Sequence, residues 1–197
     1  TKVKEEKKVE KPAVLSQREI TLITGDKVIV SLDTEGKSVG YAIKPADPQK
    51  PGQSFSIIKF QGDSYVLPRG LNLQLFDREL FNVDRLLRDE YDKDEVFPVL
   101  IDRKPSLPSY RSRALTTKLQ SFSSSVKELK STATLSTRLH RSSLPLAFQS
   151  LSTDGNIEKV WLNRKIKVNL AQSVPQIDAP DLWASGITGA GKIIAIL

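Results

Sequence analysis

The sequence predicts an α+β protein: small antiparallel sheets covered by helices, followed by a helix that leads into a strand of the parallel-sheet type. Three observations predict this class. Short runs of alternating polar and apolar residues, separated by turns rich in glycine and proline, fill most of the first hundred positions. Helical patterns dominate the next stretch. The last five residues, 193–197, are all apolar, which is typical of a strand buried on both faces of a parallel sheet.

Composition is that of a globular protein. Of the 197 residues, 39% are hydrophobic and 27% are charged, so wholesale disorder is not expected. No apolar run reaches the roughly 18 residues that a transmembrane helix needs. The chain contains no cysteine, which excludes disulfides, thiolate zinc sites and cysteine nucleophiles. Because the first residues are charged and Thr1 is not an initiator methionine, we expect that any signal peptide has been removed or left out of this sequence.

The net charge of +7 is concentrated in one part of the chain. Residues 101–170 contain thirteen basic and four acidic side chains, a net +9. A stand-alone binding module for anionic polymers, nucleic acid or cell wall, which uses residues 103–167, is therefore one alternative. The basic residues are not clustered among aromatic residues, so nucleic acid is not the expected partner.

The first part of the chain predicts a charged leader and a β-rich lobe. Residues 1–17 contain few large apolar side chains, and we expect them to be disordered. Residues 18–104 predict the β-rich lobe, which begins with a hairpin over 18–32 that turns at Gly25 and Asp26. The apolar side of this hairpin is formed by Ile20, Leu22, Val28 and Val30. Short strands at 41–43, 55–60 and 64–67 are expected to belong to one small antiparallel sheet.

One helix and one strand complete the predicted β-rich lobe. Asn82 is expected to cap a helix in which apolar residues recur at helical spacing, namely Val83, Leu86, Leu87 and Tyr91. The charged residues of this helix are expected to face water: Asp84, Arg85, Arg88 and Asp89. Residues 96–101 predict a strand, and Pro98 is expected to confine it to a sheet edge or a bulge.

Pro105 and Pro108 predict an internal boundary, after which residues 105–170 should form a helical segment and a final strand. An apolar stripe predicts one long helix; its members are Leu115, Leu119, Phe122, Val126 and Leu129. Residues 131–143 predict a loop or a loosely held helix, with His140 at the surface. A short helix at 145–151 and a turn at Asp154 and Gly155 come next. Period-two spacing then predicts a strand through Val160, Leu162, Ile166, Val168 and Leu170.

Residues 171–197 predict the beginning of another domain. Asp178 is expected to cap a short helix that contains Leu182 and Trp183, and Gly186 should end it with positive φ. Gly189 and Gly191 then turn the chain into the apolar strand 193–197. Parallel neighbours require long crossover connections, so the partner strands must come from earlier residues or from sequence outside this chain. We favour the second alternative.

Two stretches resemble subtilisin-like serine proteases (peptidase family S8). Gln176-Ile177-x-Ala179-Pro180 and Thr188-Gly189-x-Gly191, followed by the apolar strand, closely resemble the start of the catalytic domain of this family. Thr21-Leu22-Ile23-Thr24-Gly25-Asp26-x-Val28 is similar to the start of long prosequences in bacterial members. In that family an Asp-Thr-Gly or Asp-Ser-Gly, which carries the first residue of the Asp-His-Ser triad, follows the strand at once. The resemblance implies that this chain stops one residue before that aspartate.

The resemblance implies a function. The chain would be the prodomain and first strand of a secreted, extracellular or cell-wall-associated endopeptidase, and would assist its folding and inhibit it until cleavage. The inhibitory strand would contain Val160, Leu162, Ile166 and Val168, and cleavage would fall near Leu170 and Ala171. In the family, a glutamine in the position of Gln172 contributes to a calcium site, so calcium is expected in the full-length protease and no cofactor in this chain. The cognate catalytic domain is the expected partner.

Catalytic residues are not expected within the chain itself. It lacks the Gly-x-Ser-x-Gly elbow and the His-Glu-x-x-His zinc motif. Residues 186–192 match the spacing of a phosphate-binding loop, Gly-x-x-x-x-Gly-Lys. We expect no phosphate site there, because the glycines precede the predicted strand rather than follow one, so Lys192 would not lie at a helix N-terminus. The parent protein is expected to be the serine endopeptidase, and this chain to be inactive alone. A remaining alternative is that the chain is an inactive fragment.

Overall fold

The computed structural model describes residues 16–47, 54–129, 131–165, 175, 177–188 and 190–191. The chain divides into two compact units, Thr1–Arg164 and Lys165–Leu197. The described part of the first unit is α+β, with small antiparallel sheets and a few helices, as the sequence predicts. Among the described residues, none of the helices has the length and apolar character that crossing a bilayer requires.

The first sheet is an antiparallel meander. Its strands are β1 (Ser16–Thr21), β2 (Lys27–Leu32) and β3 (Ser38–Lys44), in that order. The predicted hairpin at Gly25 and Asp26 is confirmed, and Ile20, Leu22, Val28 and Val30 are all fully buried. β1 already begins at Ser16, two residues before the predicted start of the β-rich lobe at Arg18.

A separate two-stranded hairpin and a short helix follow. The hairpin consists of β4 (Phe55–Phe60) and β5 (Asp63–Pro68). The prediction that the strands at 41–43, 55–60 and 64–67 share one sheet is wrong, because β3 belongs to the first sheet and β4 and β5 form a sheet of their own. Its turn residues Gln61 and Gly62 both have positive φ, at 50° and 86°. Helix α1 spans Val83–Arg88 between 3-10 turns at Arg78–Phe81 and Tyr91–Lys93. The Asn82 cap is confirmed, since its side chain accepts a hydrogen bond from the Arg85 backbone N–H.

Six elements build a four-stranded sheet backed by two helices. In chain order they are β6 (Val96–Arg103), α2 (Ser109–Gln120), β7 (Ser123–Leu129), β8 (Thr134–His140), α3 (Leu144–Thr153) and β9 (Ile157–Leu162). The spatial order β7-β8-β6-β9, with every neighbouring pair antiparallel, is the ferredoxin-like or split βαβ arrangement. Strands from both sides of Pro105 thus share one sheet. This arrangement supports many functions, so function must come from a particular surface.

The predicted long helix is wrong beyond Gln120, because the chain returns as strand β7. Serine hydroxyls compete for backbone groups and weaken a helix. Here the Ser121 and Ser123 hydroxyls donate to the Lys118 and Leu119 carbonyls, at 2.7 and 2.8 Å. Pairing with β8 replaces the helical hydrogen bonds. β8 itself occupies most of 131–143, so the loop or loose helix predicted there is also wrong.

Pro98 lies in the central strand β6, so the prediction of an edge or bulge position is wrong. The register places Pro98 opposite Asn163, the first residue after β9. The Asn163 N–H donates to the Pro98 carbonyl at 3.2 Å. Any other residue at position 98 could donate its own N–H to the Asn163 carbonyl, but proline has no N–H to donate. The Tyr91 hydroxyl donates to that carbonyl instead, at 3.0 Å.

One apolar cluster joins all three sheets of the first unit. On β6 the side chains of Phe97, Val99 and Ile101 are fully buried, and α2 covers them with Leu115 and Leu119. Helix α3 contributes Leu144, Ala147 and Leu151 to the same cluster, and the first hairpin contributes Ile20 and Val28. The predicted short helix at 145–151 is confirmed by α3.

The described residues of the second unit include one helix, α4 (Ala179–Ala184). The helix is confirmed, and so is the positive φ of Gly186, at 86°. The predicted Asp178 cap is wrong, because Asp178 has a left-handed backbone conformation with φ of 54° and its side chain makes no capping hydrogen bond. The apolar strand 193–197 and the turn residue Gly189 lie outside the described residues.

Asp154 links the two helices that cover the four-stranded sheet. Its carboxylate accepts from the backbone and side chain of Asn156, at 3.0 and 2.9 Å, and from Lys118 Nζ on α2, at 3.2 Å. Burial raises the pKa of Asp154, but the hydrogen bonds from Asn156 and Lys118 outweigh it, so the pKa lies below its ordinary value of 3.8. The ionised carboxylate therefore stabilises the folded state.

Asp154→Asn is expected to lower the free energy of unfolding at pH 7 by about 1–2 kcal/mol, because a charge-assisted hydrogen bond is lost. Since the pKa of Asp154 in the folded state is below its ordinary value, which applies to the unfolded state, the unfolded state binds more protons at pH values between the two. The contribution of Asp154 is complete above the unfolded pKa and is lost as pH falls toward the folded pKa. Urea unfolding of both proteins at neutral and acidic pH should show the difference shrinking with acid. A pH-independent difference would contradict this account.

Candidate functional site

Within the described residues of the first unit, the four-stranded sheet has one face covered by helices and one open face. Side chains alternate between the faces along each strand. The helices α2 and α3 lie on the face that carries Phe97, Val99 and Ile101 of β6. Leu135 and Leu139 of β8, and Val160 and Leu162 of β9, are buried on this same face. The residues between them must point to the opposite side.

The opposite side, here called the open face, combines apolar and basic side chains. Strand pairing places the following residues on it: Pro98, Leu100 and Asp102 of β6, Lys127 and Leu129 of β7, Ser136 and Arg138 of β8, and Lys159 and Trp161 of β9. Trp161 is 39% exposed and Leu129 is 40% exposed. Pro98 and Leu100 are half-buried. Large exposed apolar side chains grouped on one surface mark interaction sites.

Trp161 is held in place by polar contacts around its ring. Its Nε1–H donates to Asp102 Oδ2 at 2.6 Å, and Thr134 Oγ1 donates to the other carboxylate oxygen at 2.5 Å. The Lys159 Nζ lies 5.2 Å from the centre of the indole ring, and this ammonium also donates to the Leu73 carbonyl. An ordered indole loses little side-chain entropy when it binds a partner. Trp161 is therefore preorganised as an anchor.

The charge on the open face is mainly positive. Lys127, Arg138 and Lys159 are basic, whereas the one acidic residue among those named, Asp102, already accepts hydrogen bonds from Trp161 and Thr134. A partner with apolar and acidic groups would complement this surface. The surface is therefore suited to recognition of such a partner.

The first unit ends a few residues after Trp161. The outer edge of β9 is covered at its middle, because Val160 N–H donates to the Leu75 carbonyl at 2.7 Å and Asp77 N–H donates to the Val160 carbonyl at 2.9 Å. Beyond this contact β9 ends at Leu162, one residue after Trp161. The second unit begins at Lys165. The anchor residue Trp161 is thus four positions before the second unit.

The structure places only part of the predicted inhibitory strand. Val160 and Leu162 are 0% and 5% exposed, so these two side chains belong to the core of the first unit. The other predicted residues of the strand, cleavage region and calcium site, namely Ile166, Val168, Leu170, Ala171 and Gln172, lie outside the described residues. The inhibitory and cleavage roles stay predictions. His140 is exposed at the end of β8.

Sequence reasoning did not identify the open face. The signal was present in β9, where Trp161 stands between the buried Val160 and Leu162 and must therefore face outward. Leu100 in β6 occupies the equivalent position between Val99 and Ile101. The cross-strand pair Leu100 and Trp161 could be found only once the antiparallel register was known.

Comparisons with known proteins add no identification. No protein-family model, no curated protein and no solved structure matches this chain. Among the described residues, no group of three or more histidine, aspartate or glutamate side chains could hold a metal ion.

Proposed function

We propose that the residues up to about Leu170 act as the prodomain of a secreted subtilisin-like serine protease, which binds its catalytic domain, assists its folding and inhibits it. The observation that carries this proposal is the open face around Trp161, which lies just before the chain continues into a segment that resembles the start of a subtilisin-like catalytic domain. The first unit would then be the recognition module, and chemistry would belong to the catalytic domain.

Covalent attachment makes such a surface effective. A partner domain on the same polypeptide is present at millimolar effective concentration, so binding needs little intrinsic affinity until the connection is cut. Exposed apolar residues such as Trp161 and Leu129 provide the attraction, and basic residues orient the partner. After cleavage near Leu170 and Ala171, the separated prodomain would remain bound only through these contacts.

The proposed folding role depends on a difference between the first unit, which should fold by itself, and the catalytic domain, which should fold slowly. A large parallel α/β domain has many non-local contacts and folds slowly. The first unit has its own apolar cluster and its own sheets, so we expect it to fold without the residues after Arg164. A preformed surface that binds the first elements of the catalytic domain would lower the cost of nucleation. The segment after Arg164 would then occupy the substrate cleft as an extended strand.

Inhibition tests the proposal. The catalytic domain encoded by the reading frame that continues beyond Leu197 is expressed separately, and a segment that ends at Leu170 is titrated into its peptidase assay. We expect dose-dependent inhibition. A complete lack of inhibition at high micromolar concentration would contradict the proposal, as would a frame without Asp-Thr-Gly or Asp-Ser-Gly directly after Leu197.

Trp161→Ala is expected to raise the inhibition constant of this segment by about 30-fold, because a buried tryptophan anchor typically contributes about 2 kcal/mol to an interface. The unfolding free energy should change by no more than about 1.5 kcal/mol, since the residue is 39% exposed and loses one hydrogen bond. Tyr110→Ala is the matched control, because Tyr110 is 67% exposed on α2, the helix that lies against the covered face. Equal inhibition constants for the two variants would argue against the open face.

A second candidate function is suggested by the three basic residues of the open face, Lys127, Arg138 and Lys159. In this alternative the unit binds an anionic polymer. Such binding weakens steeply with salt. On duplex DNA the logarithm of the binding constant falls linearly with the logarithm of the salt concentration, with a slope of about −0.9 for each phosphate that the protein neutralises. Two results together would favour this alternative. The protein would bind a heparin column at low salt but not at physiological salt, and it would inhibit no protease.

A further inference from the structure

Strand β4 exposes apolar side chains on both of its faces. Ile57 is 46% exposed, its neighbour Ile58 is 44% exposed, and Phe60 is 40% exposed. Because successive side chains of a strand point in opposite directions, this exposure involves both faces of the hairpin. Edge strands commonly carry charged residues that prevent pairing with other chains, but β4 has only one, Lys59. The strand is therefore well suited to pairing with another strand.

Among the described residues, the backbone of β4 also has an open edge. In the β4–β5 hairpin, Ser54 O accepts from Arg69 N–H at 2.8 Å, which fixes the even-numbered positions of β4 as those hydrogen-bonded to β5. The N–H and C=O groups of Phe55, Ile57 and Lys59 consequently point away from β5. Within the part of the chain that the structure describes, β5 is the neighbour of β4 in its sheet.

We propose that β4 pairs with β4 of a second copy of this chain, antiparallel and with a two-fold axis at Ile57. This register places Ile57 opposite Ile57 of the other copy and Phe55 opposite Lys59. All three residues with outward backbone groups then take part in hydrogen-bonded pairs. Centring the axis on Ser56 or Ile58 leaves one of the three without a partner. The strand is self-complementary, as an isologous interface requires.

Charge favours the same register. With the axis at Ile57, the two Lys59 positions are separated by about 13 Å along the strands, beyond the Debye length of about 8 Å at physiological salt. With the axis at Ile58 the separation falls to about 7 Å, and with the axis at Lys59 the two ammonium groups are opposite each other, which destabilises a strand pair. A short strand pair gives an interface at the small end of the range, so the dimer is a reversible one.

Single cysteines test both the association and its register, because the natural chain has no cysteine. Cα atoms of a hydrogen-bonded antiparallel pair lie about 5.5 Å apart, within reach of a disulfide. Ile57→Cys should therefore form a covalent dimer with oxidised glutathione at least about tenfold faster than Ile58→Cys, whose Cα atoms would be about 8 Å apart. The two positions are matched in exposure. Equal rates, or faster dimerisation of Ile58→Cys, would overturn the proposed register.

Sedimentation of the protein without cysteines tests strand pairing itself. The native chain should show a concentration-dependent monomer–dimer equilibrium between about 1 μM and 1 mM. Ile57→Pro removes an outward N–H and leaves the β4–β5 hydrogen bonds in place, so it should shift the protein to monomer. Ile57→Thr keeps this N–H and should retain the dimer more strongly. A monomeric native chain at the highest concentration, or loss of the dimer in both variants, would contradict the proposal, and circular dichroism would verify that both variants are folded.

Discussion

Gly25→Ala is expected to lower the free energy of unfolding by about 2–5 kcal/mol. Gly25 has φ of +87° at the turn between β1 and β2, a conformation that costs an L-residue about 1–2 kcal/mol. A Cβ at this position would lie 2.5 Å from Pro145 Cγ and 2.8 Å from Pro145 Cδ. Overpacking of this kind typically costs a further 1–3 kcal/mol, roughly. The hairpin tip must therefore move away from α3, and chemical denaturation measures the loss.

Gly36→Ala is the control. Gly36 also has positive φ, at +75°, but a Cβ at this position would have no neighbouring atom within 4 Å. The free energy of unfolding of Gly36→Ala should fall only by the cost of the positive φ, about 1–2 kcal/mol. Adding Pro145→Ala to Gly25→Ala should recover part of the difference, since the colliding ring atoms are removed. A Gly25→Ala variant no less stable than Gly36→Ala would show that the contact between the hairpin and α3 is absent in solution.

Asp84→Ala is expected to lower the free energy of unfolding by about 2–4 kcal/mol. The sequence predicts that Asp84 faces water, but its carboxylate is half-buried and connects three elements. It accepts from the buried Ser64 N–H of β5 at 2.7 Å, and also from the Ser38 hydroxyl of β3. The Tyr41 hydroxyl lies 3.5 Å from the carboxylate and donates to Ser64 Oγ at 2.6 Å. Removing the carboxylate leaves several donors without their acceptor, and hydrogen bonds to a charged group contribute roughly 1.5–3 kcal/mol each.

Asp84→Asn should fall between the native protein and Asp84→Ala, because an amide provides one acceptor oxygen where the carboxylate provides two. Asp89→Ala, at the residue that directly follows the same helix, should change stability by no more than about 0.5 kcal/mol. Thermal and urea unfolding of the three variants would distinguish these outcomes. If Asp84→Ala lowered the free energy of unfolding no more than Asp89→Ala, this result would contradict the account in which the Asp84 carboxylate connects the first sheet to the β4–β5 hairpin.

Local features were predictable from the sequence. The turn at Gly25 and Asp26 and the Asn82 cap depend on residues within four positions of each other, so their chemistry is visible in a short window. The prediction that Asp84 faces water is wrong for the opposite reason. The partners of Asp84 are 20 and 46 positions away, and no local pattern announces them.

Non-local pairing explains the other differences. Phe122 and Val126 satisfy the spacing of a helix, yet Val126 pairs with Thr137 in a strand, because β8 offers hydrogen bonds that a serine-rich helix would lack. Pro98 was assigned to an edge from its missing N–H alone, but Tyr91 provides the missing donor to Asn163. The open face depends on the register of three strand pairs, so it could not be assembled before those pairs were known.

Trp161 provides the most direct test of the proposed prodomain function. The segment that ends at Leu170 contains Trp161 and no other tryptophan, because the second tryptophan of the chain is Trp183. This segment is labelled with 5-fluorotryptophan and titrated with the subtilisin-like catalytic domain while its ¹⁹F resonance is recorded. We predict that the free resonance is replaced by a second one at a 1:1 ratio, with loss of the solvent isotope shift as the ring leaves water. An unchanged resonance at saturating catalytic domain would contradict binding through the open face.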